Sequence, residues 1–354
     1  MSWQGLSGHD AVVERFRTML RAGRLANTFL FVGPAGIGKR SFALGLAKGL
    51  LCQNSDPTEL NPCERCPSCV QVAAGTHPDL LQVAKPKDKT EIPLSLFVGD
   101  KEHRMQVGFC HDLGVKPFFG GRKVGIINDA DQMNEEGANC LLKTLEEPPP
   151  KSVIILIGTS LAKQLPTIRS RSQIIRFRPL AEETIAELLV AQGHVSDPAE
   201  ARRLASFSEG SLERAIELAD PALWTFRRDF LAKLAESPLD SVRVSKQVLA
   251  FVDEAGKEST ERRERIRLVV RYAVDYYRRL LRMMTGATIS DDPELNAFVE
   301  QGLRTFQGDE ETAAAHLDRC LDAINHVDRN ANQQTLVECW LDELGPFGAT
   351  VAKA

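Results

Sequence analysis

"GPAGIGKRSFA", residues 33–43, decides the fold. Gly33 to Lys39 follow the pattern G-x-x-x-x-G-K of a phosphate-binding loop, in which backbone N–H groups and a helix N-terminus face a phosphate and the lysine adds positive charge. The pattern carries meaning only between a strand and a helix, and both flanks comply. "TFLFVG" (28–33) is a short apolar run that predicts a buried strand, and "KRSFALGLAKGLL" (39–51) spaces Phe42, Leu46 and Leu50 along one side of a helix. The next position departs from the pattern. Arg40 stands where a Ser or Thr would bind Mg²⁺, and Ser41, one residue further along a helix, points about 100° away.

Outward from this loop, "DLLQV" (79–83), "KVGIIND" (123–129), "VIILIGT" (153–159) and "IIRFRPL" (174–180) predict four more strands. "DAVVERFRTMLRA" (10–22) has helical spacing, with Ser7 or Asp10 as its cap, and "NEEGANCLLKTLEE" (134–147) is a helix stopped by Pro148, Pro149 and Pro150. Strands alternating with helices predict a mostly parallel sheet covered on both faces. Residues 84–104 read as a polar insertion before a helix at 105–113. After Pro179 only helices follow: three short ones, then longer ones from about Trp224. The expectation is an α/β P-loop domain over 1–178, a small helical lid over 179–223 and an all-α domain over 224–354.

Composition fits a soluble chain with a sizeable core, 43% hydrophobic and 26% charged. The start lacks the pattern of a leader peptide, and no apolar run suits a membrane span, so a cytoplasmic protein is expected. A net charge of -4 argues against a free-standing nucleic-acid binder, so any DNA contact would need local patches or partners.

A hydrolysing P-loop ATPase ends the strand at "KVGIINDAD" with two carboxylates, one near Mg²⁺ and one that polarises the attacking water. Here those places hold Asn128 and the shorter Asp129. Two altered metal positions, Arg40 and Asn128, predict that the chain alone does not turn over ATP and leave ATP a doubtful ligand.

Cys52, Cys63, Cys66 and Cys69 cluster, the last three as C-x₂-C-x₂-C. Four thiolates so spaced suit a closed, structural Zn²⁺ site; an iron–sulfur centre uses similar triplets, and four reduced thiols are the plainest alternative. Cys110, Cys140, Cys320 and Cys339 sit in helical patterns and are expected to be core thiols. "LPTIRSRS" (165–172) carries Arg169 and Arg171 on a short helix, where a guanidinium serves either as a surface ion-pair partner or as an arginine finger toward a neighbouring subunit.

"GPAGIGKR", the four cysteines, "HPDL" (77–80), "KPFFGGRKVGIINDADQMNEEGANCLLKTLEEPP" and "LPTIRSRS" together resemble the delta-prime family of bacterial DNA polymerase III clamp-loader subunits, members of the AAA+ class, over about residues 1–178. The resemblance implies an AAA+ fold with a C-terminal collar and a five-subunit arc with ATP-driven gamma/tau subunits and the delta subunit. That assembly opens a sliding clamp and places it on primed DNA. It also implies a stator that does not hydrolyse ATP and supplies an arginine finger in trans, here Arg171 of Ser170-Arg171-Ser172, with Ser172 where the family has Cys. An active ATPase subunit of the gamma/tau type is the alternative. "GSLERA" puts Glu213 where the motor subunits carry a sensor arginine, with Arg214 beside it, which disfavours nucleotide phosphates. "RNANQQTLVECWLDEL" is similar to the end of the family's collar. The eight arginines and three acids of 261–282 read either as a DNA-facing stretch or as a solvated or intersubunit helix face.

Overall fold

The computed structural model describes residues 3–86, 89–256, 258–287 and 292–345. The chain divides into two compact units between Ala215 and Ile216.

The first unit is built on the five predicted strands, β1 (Thr28–Val32), β2 (Leu80–Val83), β3 (Lys123–Ile127), β4 (Ser152–Gly158) and β5 (Gln173–Arg176). They form one sheet in the order β2-β3-β4-β1-β5, and every pair is parallel. The central strands are buried along their whole length, which is why β1, β3 and β4 read as continuous apolar runs. Alternate residues of β1 nevertheless divide between the faces, as strand geometry requires. Phe29 and Phe31 meet Phe16 of α1 (Asp10–Arg21), and Phe31 also meets Phe42 of α2 (Lys39–Leu51) and Phe177, with ring centroids 4.9–5.9 Å apart. Leu30 and Val32 face the other cluster, with Ile127, Ile154, Leu156 and Leu141.

Three local expectations are corrected. His9, not Ser7 or Asp10, is the cap position of α1, and it makes no side-chain capping bond because its ring turns inward to Ile37 O, 2.6 Å away. After α3 (Pro67–Ala74), the segment expected as a polar insertion is part of the core: Ile92, and Phe97 and Val98 of the short α4 (Ser95–Val98), are buried. Their apolar side chains were masked in the sequence by the surrounding lysines and acids. The helix expected at 105–113 starts later, as α5 (Phe109–Gly114), because Gly108 takes φ 98°, a left-handed conformation that a helix cannot continue. Gly125 in β3 has its own reason: a Cβ there would lie 2.5 Å from the Phe109 ring.

α6 (Glu135–Glu146) is capped by Asn134, whose side chain accepts from the Gly137 N–H at 2.9 Å, and it ends before the three prolines. α7 (Pro166–Ser170) leads into β5, and α8 (Glu182–Ala191), α9 (Pro198–Phe207) and α10 (Leu212–Leu218) follow.

The second unit is helical among the described residues: α11 (Pro221–Leu234), α12 (Ser241–Asp253), α13 (Ser259–Met284), α14 (Pro293–Thr305), α15 (Glu310–Asp328) and α16 (Gln333–Glu343). The 26-residue α13 packs against α11, α12, α14, α15 and α16. Four of its eight arginines form ion pairs within the unit: Arg262 to Asp253, Arg267 to Asp328, Arg271 to Glu217 and Arg278 to Asp275. Arg227 is buried against Asp292 at 2.7 Å. Cys320 is a core thiol and Cys110 and Cys140 are half-buried, but Cys339 is exposed, contrary to expectation: it lies on the outer side of α16, whose Trp340 and Leu341 turn inward. No helix of the described residues is long and apolar enough to cross a membrane.

Candidate functional site

The phosphate loop lies where β1 ends and α2 begins, at the carboxyl end of a parallel sheet, the usual place for a ligand in such folds. Gly36 and Gly38 take φ 71° and 90°, which L side chains rarely adopt. The loop is nevertheless covered. A Cβ at Gly36 would lie 2.2 Å from Ser211 Oγ and 2.6 Å from Glu213 Cβ, and the N–H groups of Leu212 and Glu213 donate to Gly36 O at 3.0 and 3.4 Å. Lys39, only 7% exposed, turns back on its own loop and donates to Gly33 O at 2.7 Å and to Pro34 O. Burial pulls its ammonium below the usual lysine range, while Asp131, Glu213 and Asp129 pull the other way. The cation that would meet a phosphate is thus internally engaged, with an acid beside it that repels one.

Arg40 and Asn128 stand at the two positions expected to serve Mg²⁺. Arg40 and Ser41 are exposed at the start of α2. Asn128 is buried, its N–H donates to Val83 O at 2.8 Å, and its Nδ2 has no hydrogen-bond partner among the described residues. Asp129 is exposed with φ 55°. The structure therefore brings Gly33, Gly36, Gly38, Lys39 and Asp129 into one neighbourhood, with Asp131 and Glu213 also near Lys39, but among the described residues these carboxylates do not converge at metal-ligand spacing. Asp131, which the sequence reading passed over, joins the ends of β3 and β4 by accepting from the Thr159 N–H at 2.5 Å and from Gln164 Nε2. A carboxylate two residues past the altered pair was its only sequence signal.

Arg171 sits just past α7, half-buried, while Arg169 is exposed. Its Nε and Nη2 donate to one oxygen of Glu146 at 2.9 and 2.5 Å, and its Nη1 to Thr167 O at 3.1 Å and Ser170 Oγ at 3.2 Å. Ser172, in place of a cysteine, donates to Ile168 O at 2.8 Å. Glu146 carries no motif, and only its place at the end of the helix before three prolines marked it.

The four cysteines converge, with all Sγ atoms within 4.8 Å of one another. Sulfurs about 2.3 Å from a tetrahedral ion would stand about 3.8 Å apart; Cys52 Sγ and Cys66 Sγ are 3.9 Å apart. Successive N–H groups point at these sulfurs: Cys63 N to Cys52 Sγ at 3.4 Å, Cys66 N to Cys63 Sγ at 3.3 Å and Cys69 N to Cys66 Sγ at 3.4 Å. Burial pushes the Cys52 thiol up, but hydrogen bonds, among them that from the Cys63 N–H, outweigh it and hold the group at about 6. Burial and the neighbouring sulfurs push Cys69 up. Four sulfurs converging at this spacing, with backbone N–H groups aimed at three of them, are compatible with a structural zinc site.

The family model described as "DNA polymerase III, delta subunit" matches residues 8–181. A protein named DNA polymerase III subunit delta' from Pseudomonas aeruginosa is 38% identical over 187 residues, 52% of this chain and 53% of its own length. Its namesake from Bacillus subtilis is 32% identical over 220 residues, 62% of each chain. DNA polymerase III subunit tau from Escherichia coli is 32% identical over 222 residues, 61% of this chain and 32% of the relative. The chain thus matches less than two thirds of the length of each of these relatives.

Proposed function

Because this chain belongs, through residues 8–181, to the delta-prime family of DNA polymerase III subunits, we propose that it is a clamp-loader subunit that does not hydrolyse ATP and supplies Arg171 in trans to a neighbouring ATPase subunit of the gamma/tau type. The observation that carries this reading is the contrast between two cations. Lys39 is spent on the carbonyls of its own loop under Glu213 and is buried, whereas Arg171 is partly exposed and its only ion pair among the described residues is with the exposed carboxylate of Glu146, beside neutral contacts to Thr167 O and Ser170 Oγ. A guanidinium so placed can exchange Glu146 for a phosphate oxygen at little cost.

In this reading the partners are gamma/tau and delta subunits, and through them the sliding clamp and primed DNA, in the cytoplasm. Residues 179–223 act as a lid and 224–354 as the collar. Cys52, Cys63, Cys66 and Cys69 hold a Zn²⁺ whose role is to fix the fold. The competing reading, an active ATPase of the gamma/tau type, draws on the likeness to tau and on Asp129 near Lys39.

Calorimetric titration of ATP into the purified chain, with and without Mg²⁺, separates them. The stator reading predicts no saturable heat at millimolar ATP; binding that tightens with Mg²⁺ would favour the ATPase.

A further inference from the structure

At the amino-terminal edge of the sheet, opposite the phosphate loop, the connection from α5 to β3 reads "VKPFFGGRK" (115–123). Phe118 is 75% exposed, and the fold holds it there. The carboxylate of Asp79, itself 1% exposed, accepts the N–H groups of Phe118 at 2.7 Å and Phe119 at 3.1 Å. Gly120 N–H closes the turn on Pro117 O at 3.2 Å. The Phe119 ring, itself exposed, stands edge-on to Phe118, centroids 5.0 Å apart, and meets His77 at 5.4 Å. His77 in turn bonds Asp79 N–H through Nδ1 and Ser68 Oγ through Nε2, both at 3.0 Å, and Ser68 lies between Cys66 and Cys69. A buried carboxylate and a buried histidine, linked to the cysteine module through Ser68, thus fix a turn that presents two solvent-facing aromatic rings, Phe118 and the 43% exposed Phe119.

The surroundings of the ring identify its partner. Lys116, Arg122 and Lys151 flank the turn, with Lys151 Nζ 3.5 Å from Gly120 O. No acid lies between Val115 and Lys123, and Asp112, the nearest in sequence, is bonded to His111 at 3.0 Å. Gly120 and Gly121 have nothing within 4 Å of where a Cβ would sit, so the approach to the ring is open. Exposed aromatic rings at Phe118 and Phe119, beside three cations and with Val115 as their exposed aliphatic neighbour, match unpaired bases on a phosphate backbone.

We propose that the Lys116–Arg122 turn, joined by Lys151, is a binding site for single-stranded nucleic acid, with Phe118 as the stacking platform and the three cations as phosphate contacts. The site is separate from Arg171 and stands whether or not that residue acts as a finger.

The test is fluorescence anisotropy of a dye-labelled single-stranded oligonucleotide titrated with the full zinc-loaded chain at low salt. Phe118→Ala should weaken binding at least about fivefold and Phe118→Trp should preserve it. Lys116→Ser with Lys151→Ser should flatten the slope of log affinity against log salt by about 1.4. Duplex of the same sequence should bind more weakly, since its bases are stacked. Affinity unchanged by Phe118→Ala, equal binding of duplex, or no binding by the parent chain would overturn the inference. Loss of association with a gamma/tau subunit in Phe118→Ala, with oligonucleotide binding intact, would overturn it in favour of a protein contact.

Discussion

One carboxylate oxygen of Glu146, at the end of α6, holds both Nε and Nη2 of Arg171, at 2.9 and 2.5 Å. Both side chains are partly exposed, and a surface pair of this kind contributes no more than about 1 kcal/mol. Glu146→Gln and Arg171→Ala should each change unfolding free energy by less than that, measured by urea denaturation. A loss several times larger would make the pair a structural tie and remove its suitability as a releasable contact.

Glu213 is predicted to exclude anions from the phosphate loop through its charge and its position over Gly36. Glu213→Arg replaces repulsion by attraction. Nucleotide affinity, measured by calorimetry in EDTA, should rise at least about tenfold over the parent chain, as a change of about 1.4 kcal/mol in charge interaction implies. No gain would mean that the backbone contacts of Leu212 and Glu213, not the carboxylate, close the loop.

The cysteine module should carry one zinc per chain, measured by mass spectrometry of the native protein or by colorimetric release. Cys66→Ser should abolish stoichiometric metal and lower the melting temperature, because metal binding and local folding are linked. Hydrogen exchange should quicken at the amides of Phe118, Phe119 and Gly120 as well, since Ser68 connects the module to His77 and the turn. Exchange confined to the cysteines would break that connection.

Burial lowers the folded-state proton affinity of His77 and His316, so both stay neutral where an unfolded histidine would charge. The unfolded chain then binds more protons below about pH 6.5, and stability falls as pH drops through that value. Melting temperature should decrease from pH 7.5 to 5.5, and His316→Gln should remove part of that decrease. A pH-independent melting temperature would contradict it.

The strands were legible because each central one is buried on both faces and so spells an uninterrupted apolar run; the phosphate loop was legible because its glycines and lysine occur at fixed spacing. The altered metal positions Arg40 and Asn128 could be read for the same reason. What stayed hidden were contacts between residues far apart in sequence. Nothing local shows that Glu213 covers Gly36, that Glu146 holds Arg171 or that Asp79 fixes Phe118. Ile92 and Phe97 were misjudged because burial was averaged over a segment rich in lysine, although the two side chains themselves are apolar. The cysteines were the opposite case: the short C-x₂-C-x₂-C spacing brings Cys63, Cys66 and Cys69 together almost regardless of the rest, and only Cys52 depends on the tertiary fold.

The central claim is that Arg171 acts on another chain's nucleotide. The most direct measurement is the DNA-stimulated ATPase rate of the reconstituted complex carrying Arg171→Ala or Glu146→Gln, with assembly confirmed by gel filtration. Both substitutions break the same ion pair, so a structural role would make them alike. Arg171→Ala should lower turnover at the neighbouring site by on the order of tenfold or more, while Glu146→Gln should leave it unchanged or raise it. Equal effects, or normal turnover without Arg171, would contradict it.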